Sequence, residues 1–315
     1  MPKIAVAGSI LVDRINEISA YPRAGELTQI RGCSRAPGGC VPNTACDIKI
    51  LSPEIQVEAL GKVGDDDDGR FLLSELGRHG VGVSGIGVSR ASGTSFTDVM
   101  NVAGGERTFF CYSGACAEYG FDDIAFDSLS AGDMFHLGYF LLLEKVDRGD
   151  GVRILQELRR RGVRTSIDLV TENSDRYRLV LPALEFVDNL IVNELEALKL
   201  SGLPQGSEMR DVAAALKDMG VRERVVIHMP EQGVCLSEDG WSRVSSIPVQ
   251  KSFIKGKTGA GDAFCAGALS GIFRGLSDKE ILELGAIAAV GALSAPGATE
   301  GMRSEAELCK LVQSL

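Results

Sequence analysis

The amino-acid sequence predicts an α/β protein with a mostly parallel central sheet and a small β insertion. Two observations carry this reading. From about residue 130 onward, short apolar strands alternate with helical stretches, the rhythm of a parallel sheet covered by helices on both faces. Extended segments with mixed faces, near residues 15–36 and 94–112, break that rhythm and read as antiparallel pairs. A length of 315 residues, 44% hydrophobic and 24% charged, suits one large α/β body with an appendage.

Taken in order, Lys3 to Gly8 is a short β-branched and apolar run ending at a glycine, and predicts a buried strand. Asn16 to Tyr21 and Glu26 to Arg35 read as extended segments around a Pro22-Arg23-Ala24-Gly25 turn. Gln56 to Val63 is a further strand. Asp65 to Asp68 and Gly69 then lead into a helix over Arg70 to His79, where Phe71, Leu72, Glu75 and Leu76 have helical spacing. Thr94 to Val102 and Arg107 to Tyr112 read as a hairpin around Ala103-Gly104-Gly105-Glu106. Met134 to Leu137, Arg164 to Asp168, Asn189 to Val192 and Arg224 to His228 follow as strands. Helices are expected at Gly151 to Arg161, Asp175 to Leu184, Asp211 to Met219 and Ala263 to Phe273. The expected division is a body of residues 1–13, 37–93 and 113–315, with a β lid of residues 14–36 and 94–112.

Composition narrows the function classes. A formal charge of −10 disfavours nonspecific nucleic-acid binding and an anionic membrane surface. It leaves room for an anionic nucleotide, because phosphate sites are local and built largely from backbone N–H groups. The longest apolar stretch, Ile281 to Leu293, is broken by Glu283, Gly285 and Gly291 and is too short to span a bilayer. Lys3 to Gly8 open with no charged leader followed by a long apolar region, so no secretory signal is expected. Cys33, Cys40, Cys46, Cys111, Cys116, Cys235, Cys265 and Cys309 form no C-x-x-C pair and no zinc-spaced cluster with histidine. They read as reduced thiols, and a cytoplasmic location is expected.

The strongest motif is Gly256-Lys257-Thr258-Gly259-Ala260-Gly261-Asp262-Ala263-Phe264. Small residues leading into a helix can aim the N–H groups of Ala260, Gly261 and Asp262 at one spot, reinforced by the helix dipole. That arrangement suits a transferring phosphoryl group, and a carboxylate beside it can take a proton from an attacking hydroxyl. The same residues also suit an ordinary helix cap. A Walker loop is excluded because Lys251 stands where its first glycine belongs. Gly80-Val81-Gly82-Val83-Ser84-Gly85 fits G-x-G-x-x-G, but it follows a helix and opens none, so it is not a dinucleotide turn. Asp65 to Asp68 invite a metal, yet a solvated turn with an N-cap is the better reading. Pro37-Gly38-Gly39-Cys40-Val41-Pro42-Asn43 places two glycines before a helix start, where backbone can approach a ligand closely.

Gly8-Ser9, Asp13, Gly38-Gly39, Asn43, Asn193-Glu194-Leu195-Glu196 and Gly259-Ala260-Gly261-Asp262 occur in an order that resembles the PfkB, or ribokinase-like, carbohydrate kinases. The likeness covers essentially the whole chain, and its most specific part is Gly-Ala-Gly-Asp-Ala-Phe. It implies a three-layer sandwich with an inserted β lid, and an ATP-dependent kinase acting on a small neutral sugar. The resemblance implies Asp262 as general base and the N–H groups of Gly259, Ala260, Gly261 and Asp262 as an anion hole. It implies Asp13, Gly38, Gly39 and Asn43 as holders of substrate hydroxyls. Asn193, Glu196, Gly233, Gly259 and Gly261 would face the nucleotide, with Glu196 reaching Mg2+ through water. Phe110 either covers the substrate or fills the core of the lid.

Departures accompany the likeness. Gly256 stands where an acidic residue is usual, which makes activation by potassium doubtful, and Lys257 replaces a small residue. Val41 also departs from the usual small residue or proline. His228-Met229-Pro230-Glu231-Gln232-Gly233 keeps only the last glycine of a Thr-x-Gly-x-x-Gly pattern, so nucleotide preference stays open. The alternatives are a nucleoside kinase of the same fold and a non-catalytic sugar-binding or regulatory homologue. Exposed lid edges would suit a homodimer.

Overall fold

The computed structural model describes residues 2–102, 107–172 and 175–315. The strands run in chain order β1 (Lys3–Ala7), β2 (Leu11–Ile18), β3 (Ile30–Gly38), β4 (Gln56–Gly64), β5 (Gly82–Ser89), β6 (Ser95–Val102) and β7 (Arg107–Tyr112). They continue as β8 (Met134–Phe140), β9 (Arg164–Leu169), β10 (Asn189–Asn193), β11 (Arg224–His228), β12 (Gln232–Ser237) and β13 (Gly240–Ser245). The helices are α1 (Cys40–Leu51), α2 (Asp67–Arg78), α3 (Gly151–Arg160) and α4 (Glu194–Ser201). After them come α5 (Met209–Asp218), α6 (Ala260–Phe273), α7 (Asp278–Leu293) and α8 (Glu305–Gln313).

Nine strands form one sheet in the order β13-β12-β11-β10-β9-β8-β1-β4-β5. All neighbours pair in parallel except β11–β12 and β12–β13. The two-residue repeat of strands divides their side chains between two cores. Ile4, Val6, Met134, Ile191 and Val226 meet α1, α2, α6 and α7 on one face. Ala5, Ala7, Phe135, Leu137, Leu190, Val192, Val225 and Ile227 meet α3, α4 and α5 on the other. The expected three-layer α/β sandwich is therefore what forms.

A second sheet has the order β3-β2-β6-β7. Its outer pairs are antiparallel, as expected, but β2 and β6 run parallel with Leu11 opposite Ser95. Both strands leave the large sheet in the same direction, and the chain between them passes through the body, so no hairpin relates them. Strand β2 begins, and β3 ends, nearer the body than the sequence suggests, which puts Asp13 and Gly38 on this sheet. The turn Ala103-Gly104-Gly105-Glu106 lies outside the described residues.

Three further expectations meet the structure. Asp66 caps α2, accepting from the Gly69 N–H and from the Thr94 N–H and hydroxyl, while Asp68 pairs with Arg14 and Arg35, so the acidic run is a cap. The glycine-rich run after α2 becomes edge strand β5, parallel to β4. Residues expected to form one helix over Asp175 to Leu184 are two 3-10 turns, Arg176–Leu179 and Leu181–Phe186. Pro182 explains this, because it lacks an N–H and its ring clashes with the turn before it. All eight cysteines are free. Among the described residues no helix is long and apolar enough to cross a membrane.

Candidate active site

The site lies where the C-terminal ends of the central strands meet the N-termini of α1 and α6, the end of an open parallel sheet where ligand crevices form. Each helix begins on a glycine in a left-handed backbone. Gly39 precedes α1 with φ 89°, and Gly259 precedes α6 with φ 79°. A Cβ on Gly39 would meet the Ser9 carbonyl oxygen at 2.6 Å, and one on Gly259 would meet the Ala298 oxygen at 2.6 Å. Only glycine fits both the angle and the space.

No side chain caps α6. The N–H groups of its first turn have no intrahelical acceptor, which leaves Gly261 and Asp262 donors near the positive end of the dipole. The Ala260 N–H makes only a long contact, 3.4 Å, with the Lys257 carbonyl. Asp262, instead of capping the helix, turns its carboxylate inward. Its Oδ2 accepts from Asn43 Nδ2 at 2.9 Å and from the Tyr139 hydroxyl at 3.1 Å. Burial and the neighbouring Asp168 push the Asp262 carboxyl up to about 7, against the opposing pull of those two hydrogen bonds. A carboxyl poised there can exchange a proton near neutral pH.

Tyr139 was not legible in the sequence. It is the penultimate residue of β8, with φ 54°, and Leu141, just after the strand, has φ 85°, both uncommon for residues with side chains. The Tyr139 N–H donates to Asp168 Oδ1 at 2.5 Å, which holds the ring toward Asp262. Strand pairing slips between Leu137 and Phe140, and this irregularity re-aims the side chain. Asp168 also lies 3.4 Å from His136 Nε2, whose other nitrogen is 3.2 Å from the Ser166 hydroxyl. Cys265 completes this group of three potential metal ligands, which pairwise spacing in the sequence does not reveal.

Asn43 is almost fully buried, and its Oδ1 has no partner among the described residues. One turn on, Asp47 is wholly buried with neither oxygen bonded. Burial first, and Asp262 second, push its carboxyl well above the usual carboxylate range. Asp13 sits half-buried on β2, and burial raises it to about 6. A Cβ on Gly38 would stand 2.5 Å from Asp13 Oδ2, so the glycine is what lets these strands close at that point. Phe110 is 58% exposed on β7, so it does not form a lid core.

Behind the α6 N-terminus lies a cavity of about 660 Å³ whose lining includes the apolar Ile247, Val249, Val290 and Leu293. The same cavity is lined by Asn193, His228, Lys257, Ala260 and Gly261. Gly233 does not line it; a Cβ there would press on the Phe264 ring at 3.1 Å, so this glycine seats a lining residue. Asn193 caps α4 through a reciprocal pair with Glu196. Glu196 Oε1 accepts from the Thr171 hydroxyl at 2.7 Å and Oε2 from the Asn193 N–H at 3.0 Å. Burial raises its carboxyl to about 7. Both oxygens are thus engaged by protein donors.

Comparison with known proteins gives one consistent result. The sequence pattern described as pfkB family carbohydrate kinase matches residues 1–305. A ribokinase of Arabidopsis thaliana is 24% identical, over 99% of this chain and 81% of its own. Fructokinase-1 of Zea mays is 26% identical, over 97% of this chain and 96% of its own. The structure of Arabidopsis thaliana ribokinase complexed with ribose and ATP superposes with a TM-score of 0.85 at 23% identity, covering 99% of each chain. A putative ribokinase II from E. coli in complex with ATP and Mg2+ gives 0.82 at 20% identity, covering 100% of each.

Proposed function

The chain belongs to the pfkB family of carbohydrate kinases, and from that premise we propose how its own residues carry the reaction and which sugars it accepts. It is an ATP-dependent carbohydrate kinase. The observation that supports the assignment of residues best is the inward turn of Asp262. A carboxylate at the first turn of a helix ordinarily caps it; this one is held by Asn43 and Tyr139 beside uncapped N–H groups.

In this reading Asp262 takes the proton of the attacking hydroxyl while the γ-phosphoryl group moves onto its oxygen. The N–H groups of Ala260, Gly261 and Asp262 oppose the charge on the transferring oxygens. Asn43, through its unpartnered Oδ1, and Asp13 accept hydrogen bonds from sugar hydroxyls beside Gly38 and Gly39. Asn193 and Glu196 face the nucleotide phosphates, and Mg2+, when bound, neutralises charge on them. The small sheet, β3-β2-β6-β7, acts as a lid that excludes water, with Phe110 facing the substrate. The exposed edge strand β7 suits pairing with a second copy of the chain.

A neutral sugar fits best. Arg35 is engaged by Asp68 at 3.1 Å and lies over the Phe71 ring, and Arg14 pairs with Asp68 at 2.7 Å and lies over Phe96. Asp168-Leu169-Val170-Thr171-Glu172 supplies no cation, Asn173 lies outside the described residues, and Asp13 repels a carboxylate. With Mg2+ and ATP, kcat/KM for pentoses, hexoses or ribosides should exceed that for matched sugar acids by about ten-fold, one charge-assisted hydrogen bond. A preference for a keto-acid sugar overturns the neutral reading; a marked preference for nucleosides favours the nucleoside-kinase alternative.

Potassium should do little. A Cβ on Gly256 would meet the Pro296 and Ala295 carbonyl oxygens at 2.8 and 2.9 Å, so the backbone packs where a carboxylate side chain would have to start. Without that oxygen ligand a monovalent cation loses charge and coordination. Replacing sodium with potassium at constant ionic strength should change kcat by less than about two-fold, since no charged ligand is gained. A large rate increase counts against this reading.

A further inference from the structure

The cavity behind α6 has a mixed lining, and its cationic lining residue is Lys257. Ile247, Val249, Val290 and Leu293 give it apolar surface suited to a flat base. Ala260 and Gly261 bring the first turn of α6 to it, suited to phosphates. Lys257 is the only Lys or Arg among the residues lining this cavity. His228 also lines it, but burial holds its imidazole down to about 4 and therefore neutral. Asp168 meanwhile stands close enough to raise the proton affinity of both Asp262 and Glu196, and Glu196 raises that of Asp262. A triphosphate entering here meets acidic neighbours and a single positive side chain.

The backbone around Lys257 is fixed on both sides. The Lys255 N–H donates to the Leu293 carbonyl at 2.9 Å, Gly256 packs on Ala295 and Pro296, and the Lys257 carbonyl faces the Ala260 N–H. The side chain itself is exposed, and its ammonium forms no ion pair or hydrogen bond with a described residue. A lysine anchored at its Cα, free at its tip and beside an anion-binding helix end has an evident use.

Building on the kinase reading above, we infer that Lys257 is the phosphate-binding cation of the nucleotide site, its ammonium pairing with oxygens of the β- and γ-phosphates. During transfer the bond from the γ-phosphorus to the β–γ bridging oxygen breaks, and that oxygen keeps the electron pair. The sugar oxygen bonds to the γ-phosphorus and its proton passes to Asp262. Lys257 then stabilises the charge gathering on the departing diphosphate.

The test compares Lys257→Met and Lys257→Arg with the unaltered protein, using kcat/KM for ATP and calorimetric binding of ATP, ADP and AMP. Lys257→Met should lower kcat/KM for ATP by about ten- to a hundred-fold, the worth of one hydrogen bond to a charged group. Its AMP affinity should stay within about two-fold, because AMP lacks the phosphates being held. Lys257→Arg should keep most of the activity. Wild-type kcat/KM in the Met variant, or equal weakening of ATP and AMP, overturns the inference. Absence of turnover in the unaltered protein would overturn the kinase reading instead, and the ATP-against-AMP difference in binding would still test Lys257.

Discussion

Asp262→Asn should lower kcat by about two to four orders of magnitude, the usual contribution of a general base. The substitution keeps shape. An amide oxygen can still accept from Asn43 Nδ2 and the Tyr139 hydroxyl, so the fold and sugar affinity should be little changed. What disappears is the capacity to take a proton. The pH profile separates this from a structural effect. With its carboxyl raised to about 7, Asp262 is protonated and idle in acid, and kcat/KM should climb with pH and level off above that value. Asp13 at about 6 and Glu196 at about 7 titrate nearby, so the profile alone does not identify the base. Loss of the rising limb in the Asn variant does. Near-normal turnover would remove Asp262 from the mechanism.

Gly259→Ala should lower kcat by about two to three orders of magnitude, as expected when anion-hole donors are displaced. The new methyl group would meet the Ala298 oxygen at 2.6 Å and its Cα at 2.7 Å, both backbone atoms that cannot swing aside. The start of α6 must move, carrying the N–H groups of Ala260, Gly261 and Asp262 with it. Gly275→Ala is the matched control, because Gly275 shares a left-handed backbone, φ 73°, but has nothing near its would-be Cβ. Both variants should lose thermal stability from backbone strain of about 1–2 kcal/mol. Only Gly259→Ala should lose kcat beyond its loss of folded protein. If the two behave alike in steady-state kinetics at a temperature where both are folded, the anion-hole reading fails.

Much of the fold could be read from residue patterns, because the parallel strands are short apolar runs at regular spacing. Helix α7 escaped that reading for a physical reason. It is rich in Ala and Gly and is apolar around most of its circumference, so no 3.6-residue stripe marks it. The parallel pairing of β2 with β6 was equally hidden, since pairing direction depends on where the chain re-enters the body. At the site, Gly39, Asn43 and the Gly259–Asp262 turn carry local signatures. Tyr139 and Asp47 carry none. Tyr139 reaches Asp262 through an irregularity in β8, and Asp47 is a charged letter on what is otherwise a buried helical face.

The hydrogen bond from Asn43 to Asp262 joins residues 219 positions apart. Such a pairing gives no reward until nearly the whole chain is available to close the loop. At ribosomal speeds of 5–20 residues per second, α1 waits roughly 10 to 45 seconds for α6 to be made. During that interval its buried face, Val41, Ala45 and Ile48 among it, lacks the helix it packs against. The nascent chain is a protein without a base, and the last helices to emerge convert a nearly finished sheet into an enzyme in one step.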